Sequence, residues 1–264
     1  QDFLDAVDRI IGGLEKRSKI IAPKEKETIA FHEAGHATTS WLLEHAFPLV
    51  KVTIVPRGRS LGAAWYLPEE RQITTTEQLL DEMCSALGGR AAEQIIFGKI
   101  STGALSDLEK VTKQAYAMVS YYGLDETVGN VSFYDSSGQQ EYSFSKPYSE
   151  KTAEKIDQAV SDLIERMYQK TLALLDANKD KLTLLAKTLL EKEVIFKDDL
   201  ELIFGKRTFE ADLIKENIIK DETDLIAAKK LTDSKIETNA KSTEDKEVLE
   251  TTPSPKNTTE ENSN

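Results

Sequence analysis

A chain of 264 residues, 39% hydrophobic and 30% charged, is long enough for one sizeable core or for a core and a tail, and it excludes a fibre or a small disulfide scaffold. Its formal net charge of −12 repels nucleic acid and anionic membrane surfaces at long range, so neither is the expected partner. The single cysteine, Cys84, cannot close an internal disulfide and falls in an apolar stretch, which reads as a buried structural thiol in a reducing compartment.

From Asp2 to Ile21 the apolar residues Phe3, Leu4, Val7, Ile10, Ile11 and Leu14 recur at helical spacing, with Gly12 and Gly13 as a weak point, so the segment reads as a helix and connector. It has neither the basic start nor the apolar run of a signal peptide and no initiator Met, and reads as the continuation of a longer protein. Pro23 opens a second helix, with Glu25 and Glu27 early where negative charge suits the dipole, running to about Glu44. From Pro48 to Leu67 β-branched and aromatic residues broken by Pro56, Gly58 and Gly62 predict a short hairpin. Helices follow over Thr76–Phe97, ended by Gly98, and over Asp107–Tyr122, closed by Gly123, with STGALS (Ser101–Ser106) between them. After a Ser-, Tyr- and Gly-rich stretch, a long helix over Glu150–Asp176 precedes helices over Lys181–Lys192 and Lys197–Phe204. Beyond Arg207 the chain is acidic, lysine-rich and nearly free of aromatics; Phe209–Lys235 reads as a marginal helix at best and Lys241–Asn264 as disordered. The fold class is therefore mainly α, with a small β-sheet or hairpin and a disordered acidic tail. No run of 18 apolar residues is present, so no membrane-spanning helix is predicted.

Chemistry enters with HEAGH. His32 and His36 are four apart on the second predicted helix, one turn above one another and about 40° apart in azimuth, so both imidazoles can reach one ion. Glu33 then faces the open coordination position, placed to act as general base toward a metal-activated water. With only three histidines in the chain, chance is a poor explanation of the HExxH spacing. A catalytic zinc takes three protein ligands. His45, nine residues past His36, falls on the opposite side of the helix, and the longer HExxHxxGxxH pattern fails because Thr39 and Leu42 occupy its later positions. Two carboxylates remain. Glu93, in GGRAAEQ, lies in an apolar helix where a charge needs a partner, and its plain alternative is a structural acid paired with Arg90. Asp107 stands at a predicted helix start, and its plain alternative is an N-terminal cap. Spacing alone does not choose between them.

Taken together, HEAGH, LGAAWYLPE, GGRAAEQIIFG, STGALSD and LLEKEVIFKDDLELIFGKR, in this order from Asp2 to Arg207, resemble the FtsH-type ATP-dependent zinc metalloproteases. The resemblance implies one zinc per chain held by His32, His36 and Asp107, with Glu33 as catalytic base and Glu93 beside the metal without ligating it. It implies that an extended polypeptide substrate adds to the strand over Gly62, Ala63, Ala64, Trp65 and Tyr66. It also divides the chain into a connector from a preceding ATPase module (1–22), a zinc peptidase domain (23–207) and a C-terminal tail (208–264). In such proteins an amino-terminal anchor holds a homohexamer at the cytoplasmic face of the inner membrane, where ATP drives the processive degradation of unfolded, membrane and cytosolic proteins. This stretch has no GxxxxGK followed by Ser or Thr, so ATP is expected to be used by the full-length protein and not bound here, and the stretch itself is expected to be soluble. Two other readings compete: a stand-alone zincin acting on small peptides, and a ring-assembly module with a vestigial metal site, against which the intact Glu33 speaks.

Overall fold

Pro23 opens helix α1 (Pro23–Leu42) at a position where its missing N–H costs nothing, and the helix is buried over nearly its whole second half, from Ile29 to Trp41. A helix buried all round must be the centre of the domain. The computed structural model in which it lies describes residues 21–56, 61–66, 72–134, 147–207 and 209, all but the last within the unit Gln1–Arg207. The expected connector and tail lie outside the described residues, apart from residues 21, 22 and 209.

The predicted hairpin is present as β1 (Leu49–Thr53) and β2 (Ala63–Tyr66), paired antiparallel. Its register places Lys51 opposite Trp65, Val52 opposite Ala64 and Thr53 opposite Ala63; Leu49 faces Tyr66 across a bulge that leaves Val50 as the extra residue. A third strand, β3 (Val194–Phe196), which the sequence pattern did not separate from its helical surroundings, pairs antiparallel with the other side of β1. The sheet order is therefore β2-β1-β3, and β2 has a free edge among the described residues.

Helix α2 (Thr76–Phe97) begins with a reciprocal capping box between Thr75 and Gln78 and ends at Gly98 in the left-handed region at φ 62°. STGALS is not a plain loop: Thr102–Ala104 form a 3₁₀ turn that runs into α3 (Leu105–Tyr116), which continues as a π turn over Ala117–Tyr121. Helices α4 (Glu150–Ala177), α5 (Lys179–Lys192) and α6 (Lys197–Phe204) complete a mainly helical domain. The central helix ends at Leu42, two residues before the predicted end. The carbonyls just past it, of Leu43 and Ala46, accept from the buried Arg207 guanidinium instead of continuing the helical ladder.

Two apolar clusters flank the α1–α2 contact. One gathers Phe31, Trp41, Val52, Leu185 and Ile195 from α1, the sheet and α5; the other gathers Met83, Leu87, Val111, Ile156 and Leu163 from α2, α3 and α4. Cys84 is buried in the second and its Sγ meets Met167, in keeping with a structural thiol. No helix among the described residues is long and apolar enough to cross a membrane.

Candidate metal centre

Histidines on a buried helix need partners, and α2 and α3 supply them from two directions. His32 and His36 stack edge to face with ring centroids 4.7 Å apart, as residues one turn apart do. Each uses its Nδ1 for a fixed partner: His32 against Glu93 Oε1 at 2.8 Å and His36 against the Ser85 carbonyl at 2.8 Å. With Nδ1–H donating, both Nε2 lone pairs are turned inward. There they meet Asp107 Oδ2, at 3.3 Å from His32 and 3.5 Å from His36.

Asp107 arrives in the first turn of α3 after the 3₁₀ turn. It does not cap that helix, whose N-cap position is Ala104 and carries no side-chain bond. Its carboxylate is spent on the histidines. Glu93 is not paired with Arg90 as its plain alternative held: besides His32 it accepts from the Ser101 backbone N–H at 2.6 Å and from Ser101 Oγ at 3.0 Å, and it is only 2% exposed. One carboxylate thus ties α1 to the turn that delivers Asp107. His45 lies away from the cluster, its backbone N–H donating to Asp81.

His32, His36 and Asp107 offer one donor atom each, all within 4.8 Å of one another. A tetrahedral site with bonds of about 2.0–2.2 Å separates its ligands by about 3.3–3.6 Å, which matches the two distances to Asp107. Two imidazole nitrogens and one carboxylate oxygen are a donor set that suits a borderline cation such as zinc and leaves a coordination position open. The electrostatics ask for such a cation. Burial opposes a charged imidazole at His32, yet the hydrogen bonds with Asp107 and Glu93 outweigh it and raise that group to about 10. Burial also opposes the Asp107 carboxylate, but the two histidines hold it well below the usual carboxylate range. A metal ion bound here would take the place of that proton on the same lone pairs.

Glu33 is buried beside the histidines; burial raises its carboxyl, against the opposing pull of His36 and His32. It borders a cleft of about 900 Å³ that also holds His32, His36 and Asp107. Of the strand residues singled out from the sequence, Gly62, Ala63, Ala64 and Tyr66 line this cleft. Trp65 does not: its ring lies under the Lys51 ammonium, 5.2 Å from the centroid, and its indole nitrogen is buried without a partner.

Sequence reasoning missed Gly35, Gly88 and Gly89, which with the strand residue Gly62 make room for the centre. A Cβ on Gly89 would stand 2.4 Å from His32 Nε2, and one on Gly62 2.7 Å from Glu33 Oε1. A Cβ on Gly35 would meet the Gly88 carbonyl oxygen at 2.3 Å, and one on Gly88 the Gly35 carbonyl oxygen at 2.6 Å. The available signal was the Gly-Gly pair inside an otherwise strong helix, a costly choice unless something packs there.

Residues 19–203 match the model of peptidase family M41. The chain is 62% identical over 209 residues to the "ATP-dependent zinc metalloprotease FtsH" of Parabacteroides distasonis, covering 79% of this chain and 30% of that protein. It is 52% identical over 210 residues to the "ATP-dependent zinc metalloprotease FTSH 3, mitochondrial" of Arabidopsis thaliana, covering 79% and 26%. With the "Mitochondrial inner membrane m-AAA protease component AFG3L2" of Mus musculus it shares 49% identity over 218 residues, covering 83% and 27%. The chain thus spans less than a third of the length of each of these relatives, and the stretch matching the family model contains the whole His32–His36–Asp107 cluster. The chain belongs to peptidase family M41, the family of these FtsH-type zinc metalloproteases.

Proposed function

We propose that this chain is the peptidase domain of an ATP-dependent zinc metalloprotease and cleaves polypeptides at a zinc held by His32, His36 and Asp107. The observation that carries the reading is the convergence of these three donor atoms within 4.8 Å, beside the buried Glu33 and inside the stretch matching family M41. Zinc, when bound, supplies a Lewis acid that polarises the scissile carbonyl and acidifies water near neutral pH. Glu33 takes the proton of the attacking water and returns it to the leaving nitrogen; burial, which raises its carboxyl, makes it the stronger base for the uptake step. Glu93 and the Ser85 carbonyl hold the histidines in the ligating tautomer. The outer edge of β2 (Ala63–Tyr66), with Gly62 just before it, receives an extended substrate through its main chain, with little demand on substrate sequence.

For the whole protein we carry over what the relatives' names state: dependence on ATP, and for one of them a mitochondrial inner membrane. In this reading residues 1–22 connect to an ATPase module, 23–207 are the peptidase and 208–264 a spacer. The complete protein is a membrane-anchored homohexamer at the cytoplasmic face of the inner membrane that degrades unfolded, membrane and cytosolic proteins. ATP binds outside the present residues. The test is Glu33→Gln: the variant keeps one zinc per chain by elemental analysis and loses cleavage of an unfolded polypeptide. Cleavage at the wild-type rate overturns the mechanism.

A further inference from the structure

Tyr66 is the last residue of β2 and sits where the β1 bulge disturbs the ladder, opposite Leu49. Bulges re-aim side chains, and the two aromatics at this end of the strand part company: Trp65 stays under Lys51, while Tyr66 lines the cleft with His32, Glu33 and Asp107. Its ring packs against the core cluster around α1, so the phenol is anchored at one end. Nothing among the described residues is hydrogen-bonded to its hydroxyl. A half-buried phenol in a cleft wall ordinarily finds a partner, and here the missing partner is whatever occupies the cleft.

We propose that the Tyr66 hydroxyl donates a hydrogen bond to the oxygen of the scissile carbonyl as water adds to it, adding to whatever stabilisation of the developing negative charge a bound metal would supply. The assignment rests on the peptidase reading above. No proton changes hands: the hydroxyl remains a neutral donor, because burial, and then the carboxylates of Glu33 and Asp107, push its ionisation well above the ordinary phenol range. A donor anchored before the reaction and strengthened only as charge develops lowers the barrier without tightening the ground state.

The experiment is Tyr66→Phe in the full chain, which keeps the ring and its packing. Four quantities are read: zinc content, kcat and KM on an internally quenched peptide, the inhibition constant of a phosphonamidate analogue of that peptide, and the Kd of a cleavage product. Zinc stays at one per chain, kcat falls about 10²-fold, the analogue weakens in parallel, and KM and product binding stay within about twofold. An unchanged kcat, a loss confined to KM, or loss of zinc overturns the assignment. A wild type that does not cleave brings down the peptidase reading itself. Cleavage by the wild type, none by Glu33→Gln and the full rate in Tyr66→Phe brings down this assignment alone.

Discussion

Each imidazole of the centre has its Nδ1 committed to the protein and its Nε2 turned toward Asp107, so the proposed ligand and orienting residues are separable by mutation. Asp107→Ala removes a donor whose oxygen lies 3.3 Å and 3.5 Å from the two Nε2 atoms, and the purified variant is expected to lose stoichiometric zinc by elemental analysis. Glu93→Ala removes only the acceptor behind His32 and the Ser101 tether, so zinc stays with affinity lowered about 10–100-fold in a chelator competition titration. Zinc kept by Asp107→Ala and lost by Glu93→Ala would reverse the two roles. Protons compete for the same lone pairs. The metal-free His32 has a folded-state pKa raised from 6.5 to about 10, so its pairing with the carboxylates stabilises the metal-free fold below its ordinary value and fades as pH rises toward 10. Zinc must displace that proton, so zinc affinity rises with pH, by about tenfold per unit between pH 7 and 9 for one proton released. Titrations in buffers of different ionisation enthalpy check it; affinity flat across that window would show that His32 binds zinc without giving up a proton.

At the scale of elements, the site depends on two helices meeting backbone to backbone. Because a Cβ on Gly35 or Gly88 would press on the other's carbonyl rather than on a flexible side chain, α1 and α2 must separate to accept either alanine, at about 3 kcal/mol or more. Chemical denaturation of the zinc-free proteins measures this, with Gly98→Ala as the comparison: that glycine has open space around it and a positive φ, and about 1 kcal/mol is expected there. Gly62→Ala probes the strand instead. Its Cβ would meet Glu33 Oε1 at 2.7 Å and the Thr53 carbonyl at 2.9 Å, so it should cut turnover at least tenfold while leaving zinc in place. These contacts mark where the sequence was legible and where it was not. Helix α2 and Gly98 were readable because caps are local chemistry, and His32 with His36 because helical periodicity alone sets their geometry. The choice between Asp107 and Glu93 was not readable from spacing: it turns on the Thr102–Ala104 turn and on Ser101 reaching Glu93, contacts between residues whose approach the chain pattern does not encode. β3 escaped because three residues carry no periodicity, and its strand character comes from its neighbour β1, some 140 residues earlier in the sequence.

Across the whole molecule, the histidine-bearing helix α1 is held at its carboxyl end by the far end of the domain. Helix α5 ends at Glu193 with a left-handed φ of 61°, which turns the chain into β3, and the Glu193 carbonyl accepts from Ile54 N–H and Thr53 Oγ1 at the end of β1. Helix α6 then carries the chain to Arg207, whose guanidinium is buried against the carbonyls of Leu43 and Ala46 just past α1. A buried cation serving otherwise unpaired carbonyls is costly to delete, since it leaves those acceptors dry. Arg207→Ala is therefore expected to lower stability by about 2–4 kcal/mol in urea unfolding at fixed zinc concentration. A chain ending at Arg207 is expected to match the full chain, because residues 19–203 hold the family match and the unit containing the centre ends at Arg207. The pair of measurements separates two accounts of the boundary. If shortening after Arg207 costs as much as Arg207→Ala, residues 208–264 take part in folding the peptidase; if only the arginine matters, the domain closes on that one side chain.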